Sequence, residues 1–114
     1  FDDSGPVLCI GAAGGSRIVT AIAQVAHAVI ARRMALEEAV AAPRIHHQGV
    51  RNVLRVEEAR PLDPALLASL VARGHVPSVG GNNAIVQAIQ IHRARTLRIT
   101  AVSDQRKGGA PAGR

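Results

Sequence analysis

The residues with the clearest chemical potential stand near the start of the chain. In Val7-Leu8-Cys9-Ile10-Gly11-Ala12-Ala13-Gly14-Gly15-Ser16-Arg17-Ile18, four apolar residues lead into three glycines within five positions, and a long apolar stretch follows. Glycine reaches φ > 0 without a Cβ clash and leaves its backbone N–H uncovered by a side chain. At a strand-to-helix turn such N–H groups lie beside the positive end of the helix dipole, a setting suited to an anion or a developing oxyanion. Spacing alone supports equally a plainer role, in which the glycines only let strand and helix pack closely. The turn fits neither named phosphate motif: it has no Gly-x-Gly-x-x-Gly, and no Gly-Lys-[Ser/Thr] closes it.

Other reactive side chains carry weaker signals. Cys9, the single cysteine, sits inside the apolar run and reads as an inert core residue. His27 interrupts an apolar helix and reads as a satisfied interior or half-buried side chain. His46 and His47 are adjacent, so they point in different directions, and they lack a third ligand at zinc-like spacing; hydrogen-bonded structural imidazoles are expected there, with no metal and no cofactor. Thirteen arginines and one lysine against eight acids give a formal charge of +6. A basic balance invites a nucleic-acid reading. The arginines are scattered, however, with Arg32-Arg33 the only adjacent pair, and Phe1 is the only aromatic residue, so stacking platforms for bases are missing. No nucleic-acid partner is expected.

These residues need elements to hold them. With 114 residues and 47% hydrophobic composition the chain suits one domain with a real core. Residues 1–6 read as polar and turn-like, and Val7–Ile10 as the first strand. Ser16 is placed to cap a helix running to about Met34, with Ile18, Ile22, Val25 and Val29 on one stripe and Val19, Ala23, Ala26 and Ile30 beside it. That helix is apolar around most of its circumference, so it is expected to be covered on more than one side. A short helix over Ala35–Ala42 turns Leu36 and Val40 inward, and Pro43 stops it. Residues 44–48 read as an extended loop and Val53–Glu57 as a strand. Asp63-Pro64 is a strong helix start, with Leu66, Leu67, Leu70 and Val71 on one face and Gly74 as the stop. After the turn at residues 80–83, Ala84–His92 alternates with Ile85, Ile89 and Ile91 on one face. Thr96–Val102 returns as the second arm of an antiparallel hairpin. Residues 107–114 read as a flexible tail.

Several segments together resemble a known family. Gly11-Ala12-Ala13-Gly14-Gly15-Ser16-Arg17-Ile18 is similar to the Gly-Ser-Pro-Gly-Gly-Ser-Arg-Ile segment of γ-glutamyltranspeptidases. The likeness continues in order through Glu38-Ala39-Val40, Ala42-Pro43-Arg44-Ile45-His46-His47-Gln48, Leu54-Arg55-Val56-Glu57 and Ala72-Arg73-Gly74-His75. It closes with Val86-Gln87-Ala88-Ile89, Ala101-Val102-Ser103-Asp104-Gln105-Arg106 and Gly108-Gly109 before an Ala- and Gly-rich end.

The resemblance implies an α/β (α+β) architecture, part of the four-layer αββα sandwich of an N-terminal-nucleophile hydrolase, here the C-terminal part of its small subunit. It implies an enzyme made by self-cleavage of a precursor, in which a newly N-terminal threonine attacks a γ-glutamyl amide, such as that of glutathione. The acyl group then passes to water or an amino acid. That nucleophile falls upstream of Phe1, so no catalytic residue is assigned to residues 1–114, and this chain alone is expected to be inactive. The family's oxyanion donors map onto Gly14 and Gly15. The implied partners are the large subunit and the N-terminal part of the small subunit, and an isolated chain is expected to self-associate. The resemblance suggests a periplasmic or secreted setting and leaves a cytoplasmic one open. Ala13 and Gln105 each stand where the family has proline. These departures keep open another acylase of the family, such as a cephalosporin acylase. A basic anion-binding module that is not an enzyme is the alternative from a different class.

Overall fold

The computed structural model describes residues 2–112. The turn-like opening was expected from Phe1 and the tail to Arg114; Phe1, Gly113 and Arg114 lie outside the described residues. The elements run β1 (Leu8–Ala13), α1 (Arg17–Ile30), α2 (Leu36–Ala41), β2 (Ile45–His47), β3 (Leu54–Glu57), α3 (Pro64–Ala72), β4 (Pro77–Gly80), β5 (Ile85–Arg93) and β6 (Leu97–Ser103). They build an α+β fold with two three-stranded sheets, ordered β1-β5-β6 and β2-β3-β4.

The first sheet is antiparallel throughout, pairing Ile10 with Ala88 and Ala12 with Val86, and Ala88 in turn with Val102. One of its faces carries the core. Ala21, Val25, Ala28 and Val29 of α1 recur at helical spacing and pack with Leu36, Ala39 and Val40 of α2 on Ala84, Val86 and Ala88. Small residues at Ala21, Ala28 and Ala88 let helix and sheet approach closely. In the second sheet β2 and β3 are antiparallel while β3 and β4 are parallel, with α3 as the crossover.

The opposite face of the first sheet is open, and this reverses two sequence expectations. Strand residues alternate between faces. In β1 the core side takes Leu8, Ile10 and Ala12, so Cys9 falls on the other side and is exposed rather than a core residue. In β5 the buried face is Val86 and Ala88, at 0% and 3% exposure, while Ile89 on the alternate face is 42% exposed. His27 is likewise exposed, on the side of α1 turned away from the core. That outer side also leaves Val19 and Ile30 in solvent, so α1 is covered on less of its circumference than its composition implies.

Boundaries moved as well. α1 ends at Ile30, and Arg33 then takes φ +54°, a left-handed conformation that breaks the helix before Met34. Residues 45–47, read as a loop, form β2 because β3 supplies a partner edge, and β4 was not anticipated. The hairpin β5–β6, the α2 stop before Pro43 and the Asp63 start of α3 match their expectations.

Candidate functional site

The glycine turn joins the end of β1 to the start of α1. Gly14 has φ +149° and Gly15 φ +62°, conformations that L side chains rarely adopt. The two glycines differ in surroundings. A Cβ on Gly14 would stand 2.7 Å from the Cβ of Ala84 and 2.8 Å from its Cα, so this glycine is needed for a close approach. A Cβ on Gly15 would meet nothing within 4 Å. The Gly15 carbonyl accepts from Ile18 N–H at 3.1 Å, which begins the helix.

The positive end of α1 is left uncovered. Ser16 occupies the capping position, but its backbone is already helical (φ −58°, ψ −21°) and its side chain makes no capping hydrogen bond; the first turn holds no acidic residue. The expected serine cap is therefore absent, because a cap needs an extended backbone to turn its oxygen back on the helix. Among the hydrogen bonds of the described residues, none is donated by the N–H of Gly14 or Gly15. Two backbone donors and an unneutralised helix dipole thus share one corner of the fold.

Behind this turn lies a buried ionic cluster. Asp104 Oδ2 accepts from Arg44 Nη2 at 2.5 Å and from Val86 N–H at 2.9 Å, and Asp104 Oδ1 accepts from Arg106 Nη1 at 3.2 Å. Arg106 grips both oxygens of Glu57, through Nε at 2.8 Å and Nη2 at 2.5 Å. Asn83 donates its backbone N–H to Glu57 Oε1 at 2.7 Å and its side-chain amide to the Arg44 and Arg55 carbonyls. Arg44 Nη2 also reaches the Ala84 carbonyl at 3.1 Å, which fixes the residue against which Gly14 packs. Burial by itself would raise both carboxyls, but the hydrogen bonds and charge of Arg106 at Glu57 and of Arg44 at Asp104 outweigh it. Both acids are held below their usual range. Arg44 is lowered by its burial, whereas Arg106 is raised because the two carboxylates overcome the same cost.

A second set of side chains ties the front of α1 to the other sheet. The Gln24 amide donates to the Ile45 carbonyl at 2.8 Å and accepts from the Ile45 N–H at 3.0 Å. Thr20 Oγ1 meets His46 Nδ1 at 2.8 Å, and His46 Nε2 meets Gln48 Oε1 at 2.9 Å. His47 pairs instead with Asn52 and packs edge-on to His75. Both neighbouring imidazoles are hydrogen-bonded and diverge, as their adjacency implied. The sequence reading gave no role to Arg44, Glu57, Asn83, Asp104 or Arg106. The available signal was an acid closing each of two apolar strands, Glu57 after Val56 and Asp104 after Ser103.

Comparison with known proteins finds relatives of the chain. Residues 1–114 match the family model described as Gamma-glutamyltranspeptidase. The chain is 36% identical over 86 residues to the glutathione hydrolase proenzyme of Pseudomonas aeruginosa, which covers 74% of this chain and 15% of that protein. It is 43% identical over 81 residues to the acylase ACY 1 proenzyme of a Pseudomonas species, covering 67% and 14%. Among solved structures, γ-glutamyltranspeptidase of Pseudomonas nitroreducens complexed with L-DON superposes with a TM-score of 0.85 at 32% identity, over 100% of this chain and 58% of that one. The chain therefore spans only part of each of these proteins.

Proposed function

This chain belongs to the γ-glutamyltranspeptidase family, and we propose that it works as the C-terminal segment of the small subunit of a γ-glutamyl acyltransferase or hydrolase. In this reading the nucleophile is a threonine outside residues 1–114. Its hydroxyl adds to the γ-glutamyl carbonyl, the amine of the scissile amide leaves, and water or an amino acid takes the acyl group from the enzyme. The N–H groups of Gly14 and Gly15 stabilise the negative oxygen of each tetrahedral intermediate. The observation carrying this reading is the uncapped start of α1, where two glycine N–H groups lack partners and no acid neutralises the helix. The open face of the β1-β5-β6 sheet is where the remainder of the enzyme packs, and residues 1–114 alone turn over no γ-glutamyl anilide.

The similarity to an acylase proenzyme favours a second reading, a related acylase acting on a different amide. Substrate profiling of the longer enzyme with γ-glutamyl and other acyl anilides distinguishes the two.

Gly15 is the sharper test of the oxyanion role, since a Cβ there meets nothing within 4 Å, unlike one on Gly14. In the complete enzyme, Gly15→Leu keeps the backbone N–H but sets a side chain beside it. Obstructing the donor is expected to reduce kcat per folded molecule by up to about 10²–10³, the effect of one oxyanion donor put out of use. The left-handed backbone at Gly15 adds a stability cost of about 1–2 kcal/mol, so turnover is read per folded molecule beside the melting temperature. A variant that melts early yet turns over normally would leave the glycines with a packing role only.

A further inference from the structure

A second polar site lies at the far end of α1, about 20 Å from the glycine turn at 1.5 Å of rise per residue. A cleft of about 610 Å³ opens where α1 stops and the β5–β6 hairpin continues past it; Arg33, Glu37, Gln90, His92, Arg98 and Thr100 all line it. Its floor is the same sheet face that carries the core. Val86 and Ala88 are followed on that face by Gln90 and His92, which pair across the hairpin with Thr100 and Arg98. The face is apolar where the helices cover it and polar directly beyond their cover. On the reverse face of the same hairpin Ile91 pairs with Ile99. The polar stretch is thus local to the cleft and not a general property of the hairpin.

Charge and unused donors point to an occupant. Arg33 enters from the turn after α1 and Arg98 and His92 from two neighbouring strands. Among the described residues none of these three side chains makes a hydrogen bond or an ion pair. Glu37 is the only acid in the lining. Two guanidinium groups lining one cleft make its potential positive, and their planar forks suit phosphate oxygens. Donors arriving from a turn and two strands suit a tetrahedral dianion better than a flat carboxylate, which accepts chiefly in one plane.

We propose that this cleft binds a phosphate group, free or carried on a small molecule, between Arg33, His92 and Arg98. The site is separate from the glycine turn and does not depend on the acyl-transfer reading. The residues come together only in the fold: Arg33 and Arg98 are far apart in a sequence whose arginines are otherwise scattered.

The test is calorimetric titration of the protein carrying this chain, at fixed ionic strength, with inorganic phosphate and with glycerol 3-phosphate. Saturable one-to-one binding is expected, weakened at least tenfold by Arg98→Gln and by Arg33→Asn, the latter keeping a residue type that accepts the left-handed backbone. Arg51→Gln, in the 48–52 loop and outside the cleft lining, is expected to leave affinity unchanged. Tighter binding of the ester identifies an organic phosphate as the ligand; tighter binding of the inorganic ion identifies free phosphate. Unsaturable binding, binding that survives Arg98→Gln or Arg33→Asn in folded protein, or an equal loss in Arg51→Gln overturns the proposal. Circular dichroism melts confirm that each variant is folded, and either arginine variant suffices if the other does not fold.

Discussion

The two longer helices begin in opposite ways. α3 starts by its own local chemistry: the Asp63 carboxylate accepts from Ala65 and Leu66 N–H, both at 3.0 Å, and Pro64 occupies the first turn. α1 starts with no side-chain cap, on two glycines, and is held from behind. Gly14 packs on Ala84, whose carbonyl is fixed by Arg44, whose guanidinium is fixed in turn by Asp104. A self-capped helix start has its first N–H groups occupied, so it offers little to a ligand. A start braced by distant residues keeps those donors free. The difference leaves α1 as the terminus whose first donors are unoccupied, and a chain of contacts through Ala84 links it to the buried cluster.

The largest disturbance is expected from Asp104→Ala, which leaves two buried arginines short of a partner. Removing one member of a buried ion pair typically costs about 3–5 kcal/mol. Thermal melts should show a large loss, and amide exchange should rise at the start of α1 before it rises at the start of α3. Equal loosening of both starts would break the comparison. Acid should act through the same cluster. Glu57 and Asp104 have lowered folded-state pKa values, so their contribution is full above the unfolded carboxyl range of about 3.9–4.3 and is lost as pH falls through the folded values. Melting temperature followed downward from neutrality should therefore fall below about pH 4; a flat profile there would deny the cluster its bracing role.

Gly14→Ala comes next, because its Cβ meets Ala84 and its φ is unsuitable for alanine. A loss of roughly 2–3 kcal/mol is expected from overpacking and strain together. Gly15→Ala meets open space and should cost only about 1 kcal/mol for its left-handed backbone. Chemical denaturation of the two variants side by side measures that gap, and equal losses would erase the distinction between a packing glycine and an open one. The smallest effect sharpens the other side. Asp63→Ala should cost about 1 kcal/mol, with exchange rising in α3 alone.

Much of this architecture was legible from the chain itself. The Asp63-Pro64 start, the presence of α1 with Val25 and Val29 on its inner stripe, the stop before Pro43 and the β5–β6 hairpin each depend on residues a few positions apart, so local pattern suffices. Ala21 and Ala28, also buried on α1, fell outside the expected stripe. The α+β class and the family followed from segments such as residues 11–18 and 42–48 standing in order. Local pattern failed where burial was decided by something distant. Ile85, Ile89 and Ile91 look like the buried face of β5, yet Val86 and Ala88 are buried, because the face on which α1 and α2 settle is not encoded in β5. Cys9 and His27 were misplaced for the same reason: alternation and helical period say which residues share a face, not which face is covered.

The sequence by itself determined the three helices, the strands β1, β3, β5 and β6 and the glycines that permit the turn, since φ preferences and capping act within a few residues, whereas β2 and β4 became strands only beside the edges of β3. Only the tertiary structure decided that α1 would be braced instead of capped. Arg44 and Asp104 are 60 positions apart and Arg106 and Glu57 are 49 apart. A buried charge is tolerated only when its counter-charge arrives with it, and no local pattern states which partner the fold will bring.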